Sequence, residues 1–140
     1  MNTFATPLSR TGVYGIALQD QKLLVVKQQK GPHAGKFDLP GGGIEFGETI
    51  EGALRREFCE EVGMTFNSIQ FMENITATTG TFYQIGLIYL IKGLSPLTNS
   101  TPEMEYFWLD LDSLSDSTMA PLARQMLPKV KEASAMKVDL

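Results

Sequence analysis

The feature that most constrains this chain is a short amphipathic segment between Thr49 and Gly63. Apolar side chains recur there at every fourth residue, at Ile50, Leu54, Phe58 and Val62. This spacing predicts an α-helix whose apolar stripe packs against a core. Thr49 suits the N-cap of such a helix, and Gly63 lies where a left-handed residue commonly ends one. The sequence therefore predicts a helix over residues 49–62.

Three glutamates of this helix break the rule that charged side chains avoid the apolar stripe. At about 100° per residue, with Ile50 at zero, Glu57, Glu60 and Glu61 project at about 340°, 280° and 20°. Glu57 and Glu61 therefore adjoin the apolar stripe, where a carboxylate without a partner is costly. The three carboxylates also repel one another unless a cation lies among them. Oxygen ligands of this kind favour Mg²⁺ or Mn²⁺, so the pattern predicts a divalent metal site.

The charge of the chain is concentrated in the same segment. Residues 42–64 hold six glutamates and two arginines, and their sum of -4 equals the net charge of the whole chain. This balance disfavours binding to long nucleic acid, which rests on many contacts between cations and phosphates. His33 is the only histidine and Cys59 the only cysteine, so a zinc site is not expected. A single cysteine also excludes an intrachain disulfide, which is typical of a cytoplasmic protein.

The segment before the helix predicts a hairpin and a loop. Residues 11–28 alternate as two strands, with the turn at residues 19–21. Residues 36–39 predict a short strand inside the following loop. The glycine run 41–43 is expected to break regular structure and to let the backbone approach a ligand closely.

The segment after the helix predicts strands followed by a second helix. Strands are expected over residues 69–78, 81–91 and 105–109. The apolar run 85–91 within them is too short to span a membrane and predicts a buried strand. Residues 119–136 predict a helix that Pro128 interrupts or kinks. This order of elements favours one mixed α/β domain over residues 1–140.

The helix and its glycine loop resemble a known motif. The segment GGGIEFGETIEGALRREFCEEVGM is similar to the Nudix box, G-x5-E-x7-R-E-U-x-E-E-x-G-U, in which U is apolar. Every fixed position matches, at Gly42, Glu48, Arg56, Glu57, Glu60, Glu61 and Gly63. Phe58 and Met64 occupy the apolar positions. At about 7% per fixed residue, seven matches in register arise by chance about once in 10⁸ placements. The chain thus resembles a Nudix hydrolase of the MutT-like type.

The resemblance implies a fold and a set of site residues. The fold would be an α/β/α sandwich with a mixed β-sheet, and the box would form a loop-helix-loop. Glu57, Glu60 and Glu61 would ligate a divalent metal together with the carbonyl oxygen of Gly41. Arg56 would pair with Glu48 and orient the acidic cluster. A glutamate from a later loop often joins such a site, and of the candidates Glu103 and Glu105 we favour Glu105 slightly.

The resemblance also implies a reaction, in which a metal-activated water attacks a phosphorus of a diphosphate bond. Either Glu57 or Glu60 could act as the base, and the sequence leaves that choice open. Basic residues outside the box could assist a polyphosphate, and the candidates are Arg10, Lys27, Lys30 and Lys36. His33 lies outside the motif and is expected to be a loop residue without a role. Stacking on a nucleobase is open to Tyr14, Phe37, Tyr83 and Trp108, although strand aromatics more often belong to the core.

The sequence narrows the class of possible substrates only by elimination. A proline that marks ADP-ribose enzymes about sixteen residues past the box is absent, since Gly80 and Thr81 occupy that region. Small (deoxy)nucleoside triphosphates are therefore the leading substrate class. The alternatives are an ADP-ribose or sugar-nucleotide pyrophosphatase and a regulatory nucleotide-binding module that reuses the fold. The expected partner is a small nucleotide, with no long nucleic acid and no membrane, while assembly as a homodimer stays open.

Overall fold

A computed structural model describes residues 8–135 of the chain. Within that range it contains ten strands, two α-helices and two short 3₁₀ helices. The strands are β1 (Leu8–Ile16), β2 (Leu18–Gln19), β3 (Lys22–Lys27), β4 (Phe37–Asp38), β5 (Gly41–Gly43), β6 (Met64–Thr65), β7 (Ser68–Thr79), β8 (Phe82–Lys92), β9 (Ser95–Pro96) and β10 (Tyr106–Asp110). The α-helices are α1 (Ile50–Val62) and α2 (Pro121–Ala135), and the 3₁₀ helices are Leu111–Ser113 and Asp116–Thr118. The single domain predicted for residues 1–140 extends beyond the described range and stays a prediction.

The strands form two main sheets and one small ribbon. The first sheet has the order β5-β1-β8-β7, and the second has the order β10-β3-β2 with β4 paired to β3. Strands β1 and β8 are parallel, whereas β7 and β5 pair antiparallel with their neighbours. Strands β6 and β9 form the ribbon. The predicted mixed sheet is therefore confirmed.

Each helix closes one of two apolar clusters. Helix α1 contributes Ala53, Leu54, Phe58 and Val62 to a cluster that also holds Val13, Leu24 and Ile91. Helix α2 contributes Leu122, Met126 and Val130 to the other cluster, which holds Ile16, Leu23 and Ile88. Because β1 and β3 supply side chains to both clusters, the sheets lie between the two helices. No helix within residues 8–135 is long and apolar enough to cross a membrane.

Helix α1 begins and ends where the sequence predicts. The side chain of Thr49 accepts a hydrogen bond from the backbone N–H of Gly52 at 2.9 Å, and Gly63 adopts φ 66° and ψ 33°. The apolar stripe is shifted, however, because Ile50 remains 39% exposed and Ala53 is buried instead. Side chains on a helix point toward its N-terminus. Ile50 therefore projects beyond the first turn, where it remains exposed.

The N-terminal hairpin is shorter than predicted. The hairpin consists of β2 and β3 alone. Its turn residues Asp20 and Gln21 have φ values of 50° and 63°, as a tight two-residue hairpin turn requires. Strand β1 instead pairs in parallel with β8 over nine residues. The alternation of apolar residues along β1 indicates a strand but does not indicate which strand it pairs with. The predicted hairpin over residues 11–28 was therefore wrong in making β1 the partner of β3.

The glycine run 41–43 was expected to break regular structure, but it forms strand β5. Gly41, Gly42 and Gly43 pair antiparallel with Tyr14, Val13 and Gly12. Gly41 has φ 145°, and a Cβ atom there would clash with the carbonyl oxygen of Val13. A Cβ atom at Gly42 would lie 2.9 Å from the carboxyl group of Glu57. The glycines thus allow a bare backbone strand to run directly beside the acidic helix.

Of the predicted interruption or kink at Pro128, the interruption is wrong, because helix α2 is continuous through that residue. Proline removes one backbone N–H, which leaves the carbonyl of Arg124 without its helical partner. Both Pro128 and Arg124 are exposed, so water can hydrogen-bond to that carbonyl. The helix starts at Pro121 rather than at Met119, and the predicted end at Met136 lies outside the described residues.

Candidate active site

A cavity of about 480 Å³ opens beside the glycine strand β5 and helix α1. Glu57 and Glu61, which lie one helical turn apart on α1, face it together with the three glycines of β5. On other sides it is lined by Tyr14 of β1, by Gln28 after β3 and by Asp38 of β4. The cavity therefore combines the predicted acidic residues with polar side chains from several strands.

The guanidinium group of Arg56 connects the acidic residues of the box. Its Nε and Nη2 atoms donate to the two carboxylate oxygens of Glu48 at 2.7 and 2.9 Å, and Nη2 also donates to the carbonyl of Gly43 at 3.0 Å. Its Nη1 atom donates to Glu57 at 2.9 Å and to Glu60 at 3.4 Å. The hydrogen bonds from Arg56 and from the backbone of Glu45 lower the pKa of Glu48 to about 2. The pairing of Arg56 with Glu48 is thus present in the structure.

Two carboxylates on the cavity side of α1 are poorly hydrated. The side chain of Glu57 is 13% exposed, and burial raises its pKa. Burial also raises the pKa of Glu61 to about 8, against the effect of a 2.9 Å hydrogen bond from the backbone N–H of Gly41. The negative charges of Glu57, Asp38 and Glu60 raise it further. Cation binding would favour the ionised forms of both carboxylates.

The chemistry of these side chains fits a hard divalent cation, although they do not converge on one point. Within residues 8–135, no three acidic, histidine or cysteine side chains lie close enough to ligate one ion. In the structure, Glu57 and Glu60 accept hydrogen bonds from Arg56, while Glu61 accepts one from the Gly41 N–H. The side chain of Glu60 is 43% exposed and does not line the cavity. The fit to a cation rests on the oxygen donors and on the mutual repulsion of the carboxylates.

The loop that carries Glu103 and Glu105 contacts the end of helix α1. The backbone N–H of Glu103 donates to the carbonyl of Glu60 at 2.8 Å, and that of Met104 donates to the carbonyl of Glu61 at 3.2 Å. These bonds satisfy carbonyl groups that a helix end leaves unpaired. The side chains of Glu103 and Glu105 are exposed and do not line the cavity. A role for Glu105 in the reaction therefore stays a prediction.

The sequence missed three polar residues that line the cavity, Gln84, Asp38 and Gln28, and the last two contact each other. The Oδ1 atom of Asp38 accepts from the backbone N–H of Leu39 at 2.8 Å, and Oδ2 accepts from Nε2 of Gln28 at 3.1 Å. Burial raises the pKa of Asp38 to about 6, and these two hydrogen bonds oppose that shift. A charged residue between Phe37 and Leu39 in a predicted strand was the available signal.

Of the basic residues proposed to assist a polyphosphate, Arg10 and Lys30 line the cavity, whereas Lys27 and Lys36 do not. His33, for which no role was expected, also lines it. Of the aromatic candidates for base stacking, only Tyr14 lines it.

Comparison with known proteins decides the family. The family model described as the NUDIX domain matches residues 8–130. The chain belongs to the Nudix family. This confirms the resemblance of the box, and members of the Nudix family generally use a divalent metal.

Several curated Nudix relatives are similar over part of the chain. A protein named ADP-ribose pyrophosphatase from Methanocaldococcus jannaschii is 48% identical over 37% of this chain, which covers 31% of that relative. An oxidized purine nucleoside triphosphate hydrolase from Danio rerio is 31% identical over 74% of this chain and 68% of its own length. The nucleoside triphosphatase NudI from an Enterobacter species is 40% identical over 49% of this chain and 55% of its own length. The chain thus spans from under a third to about two thirds of these proteins.

Solved structures confirm the Nudix α/β/α sandwich. A MutT NUDIX hydrolase from Burkholderia pseudomallei superposes with a TM-score of 0.78 at 24% identity, covering 88% of this chain and 98% of that one. A NUDIX hydrolase from Nitrosomonas europaea superposes with a TM-score of 0.77 at 22% identity, covering 91% of this chain and 90% of that one. At these identities the likeness shows the fold.

The raised pKa of Asp38 leads to a prediction about the stability of this Nudix domain. Because its folded pKa lies above the unfolded value, the stability contributed by Asp38 is present below about pH 4. That stability is lost as the pH rises through about 6. Asp38→Asn should therefore raise the free energy of unfolding at pH 7.5 by about 1 to 3 kcal/mol, where the lower end allows for the partial exposure of the side chain. At pH 4.5 the increase should be smaller.

Urea unfolding of the metal-free protein at both pH values would measure this difference. The exposed residue Asp112 provides the matched control, Asp112→Asn, which should change stability little at either pH. Equal stability of Asp38→Asn and the wild type at pH 7.5 would contradict the prediction.

Proposed function

We propose that this Nudix protein hydrolyses a diphosphate bond in a small nucleoside polyphosphate or in another nucleoside diphosphate linked to a further group. The observation that carries the proposal is that Glu57 and Glu61, from consecutive turns of a complete Nudix box, face one cavity beside the glycine strand. The names of the relatives support the same class, since they include triphosphate hydrolases and a pyrophosphatase.

In the proposed mechanism, Glu57, Glu60 and Glu61 would hold a divalent cation with the carbonyl of Gly41, and Mg²⁺ is proposed ahead of Mn²⁺. When bound there, the cation would lower the pKa of water and offset negative charge on the phosphoryl oxygens. Glu48 fixes Arg56, which in turn holds the carboxylates of Glu57 and Glu60 in place.

The base in this reaction is proposed to be Glu57 rather than Glu60. Glu57 lines the cavity, whereas Glu60 does not line it. A general base must lie within hydrogen-bond reach of the proton that it takes. Glu57 would accept the proton as water oxygen bonds to phosphorus and the diphosphate P–O bond breaks toward the leaving phosphate. Arg10 and Lys30, which line the same cavity, would offset the charge of the remaining phosphates.

The partner of this reaction is proposed to be a small nucleotide in the cytoplasm, in keeping with the single cysteine and the acidic charge. Small nucleoside triphosphates are the first substrate candidate. The 48% identity to an ADP-ribose pyrophosphatase over 52 residues makes ADP-ribose the second. A homodimer stays a prediction.

A substrate panel tests the proposal. The purified chain should release phosphate, pyrophosphate or a nucleoside monophosphate from at least one nucleoside triphosphate, ADP-ribose or sugar nucleotide when Mg²⁺ is present. Chromatography of the products would identify the broken bond, and the reaction should stop when EDTA is added. If no compound is cleaved while nucleotides still bind by calorimetry, the chain is a regulatory nucleotide-binding module instead.

A further inference from the structure

We propose that Arg10 and Tyr14 of strand β1 form a phosphate-binding subsite, and that Gly43 is a glycine in order to seat the guanidinium group of Arg10. The subsite rests on the proposed function, because the anion that it holds is taken to be the phosphate chain of a nucleotide. Arg10 and Tyr14 lie outside the Nudix box, and Gly43 occupies a position that the box leaves variable. The motif alone therefore explains none of these three residues.

The side chains of Arg10 and Tyr14 share one face of the sheet with Gly12, which lies between them on β1. Alternate residues of a strand point to the same face, and Gly12 leaves that face bare. The hydroxyl of Tyr14 covers the gap, since a Cβ atom at Gly12 would lie 2.7 Å from it. The guanidinium of Arg10 covers the neighbouring strand β5. A Cβ atom at Gly43 would lie 2.5 Å from its Nε and Nη2 atoms.

The two donor groups lie close to each other and to the acidic end of the cavity. Gly12 and Gly43 are a cross-strand pair, and the Cβ positions of such a pair are about 4.5 to 5.5 Å apart. Burial raises the pKa of the Tyr14 hydroxyl and that of Glu57, and the positive charge of Arg10 opposes both shifts. Arg10 therefore lies near both groups. One phosphate group has several acceptor oxygens and can accept from two neighbouring donors at once.

Neither donor is used within residues 8–135. The ion pairs of that range involve Arg55, Arg56 and Lys129, and its side-chain hydrogen bonds include neither Arg10 nor the Tyr14 hydroxyl. Tyr14 is only 9% exposed, and both residues line the cavity. A poorly hydrated hydroxyl without a partner is costly, and a guanidinium matches the oxygens of a phosphate. A phosphate in the cavity would satisfy both groups.

The contacts of Gly43 explain why this residue is a glycine. Its φ lies outside the left-handed region, unlike that of Gly41, so alanine at this position would not strain the backbone. The three atoms nearest to its Cβ position all belong to the guanidinium of Arg10. A side chain at position 43 would therefore displace the guanidinium from β5. Gly43 is thus a positioning residue that acts through Arg10.

Binding of inorganic tripolyphosphate to the metal-free protein tests the subsite, because this probe has neither a base nor a sugar. In the presence of EDTA, calorimetry should detect binding to the wild type. The affinity should fall about tenfold or more in Tyr14→Phe and in Arg10→Ala, since each change removes hydrogen bonds to a charged group. The matched controls are Tyr83→Phe and Arg124→Ala, which change exposed residues outside the cavity and should keep the wild-type affinity.

The role of Gly43 is tested by a double-mutant cycle. Gly43→Ala should weaken tripolyphosphate binding in the wild-type background and have no further effect in Arg10→Ala, where no guanidinium is left to displace. An equal loss in both backgrounds would show that Gly43 does not act through Arg10. Calorimetry reports the competent fraction of the protein as the stoichiometry, so unfolded protein cannot imitate a loss of affinity.

The result does not depend on whether the protein is a hydrolase. Wild-type affinity in either Tyr14→Phe or Arg10→Ala, or no binding of tripolyphosphate by the wild type, would overturn the subsite and leave the hydrolase proposal intact. A wild type that binds tripolyphosphate through Arg10 and Tyr14, yet cleaves no nucleotide when Mg²⁺ is present, would support the subsite and overturn the proposed function.

Discussion

Glu61→Gln should lower kcat/KM for the best substrate by about 10² to 10³-fold, the largest loss we expect from a single conservative change. Glutamine keeps the size of the side chain and can still accept the hydrogen bond from the Gly41 N–H. It removes the negative charge that a divalent cation would bind. Metal ions stabilise charge in such transition states by several kcal/mol, and each factor of ten in rate corresponds to about 1.4 kcal/mol.

A Mg²⁺ titration distinguishes this explanation from a loss of folding. The Mg²⁺ concentration that gives half-maximal activity should rise strongly in Glu61→Gln, while urea unfolding of the metal-free protein shows no loss of stability. Glu51→Gln is the matched control, because Glu51 lies on the same helix with an exposed ion pair to Arg55, which contributes little. Wild-type rates and wild-type Mg²⁺ dependence in Glu61→Gln would show that the metal assignment is wrong.

The parts of the site that could be predicted from the sequence are those fixed by local signals. Thr49 and Gly63 cap α1 through contacts within a few residues, so the bounds of this helix follow from their residue types. The partly buried positions of Glu57 and Glu61 follow from the helical period alone. The link between Arg56 and Glu48 crosses only eight positions, and it was implied by the family motif rather than by periodicity.

The parts that could not be predicted depend on contacts between distant segments. Strand β5 exists because β1 lies beside it, and the pairing of β1 with β8 joins residues that are more than seventy positions apart. Asp38 lines the cavity because β4 pairs with β3, which also places Gln28 beside it. Nothing in the local pattern of residues 36–39 indicates the neighbour of the carboxylate. The contact of the 103–104 backbone with α1 is equally non-local.

The second large effect concerns Arg56, which makes more contacts with the carboxylates of the box than a lysine could. Arg56→Lys should lower kcat by about 10 to 100-fold, because one ammonium group cannot reproduce the forked pairing with Glu48 and still reach Gly43, Glu57 and Glu60. Arg55→Lys is the matched control on the same helix. Arg55 donates to the backbone carbonyls of Phe66 and Asn67, away from the cavity, so its replacement should reduce stability and spare kcat.

Glu48→Gln should reproduce much of the Arg56→Lys defect, although Glu48 does not line the cavity. If Glu48 acts only by fixing Arg56, the double variant should be no slower than the slower single variant, since residues that act as one unit are strongly non-additive. A double-mutant cycle of kcat at saturating Mg²⁺ measures this coupling. Fully multiplicative losses would instead mean that Glu48 and Arg56 contribute separately, and Glu48 would then need a contact with the substrate or cation that its position outside the cavity does not supply.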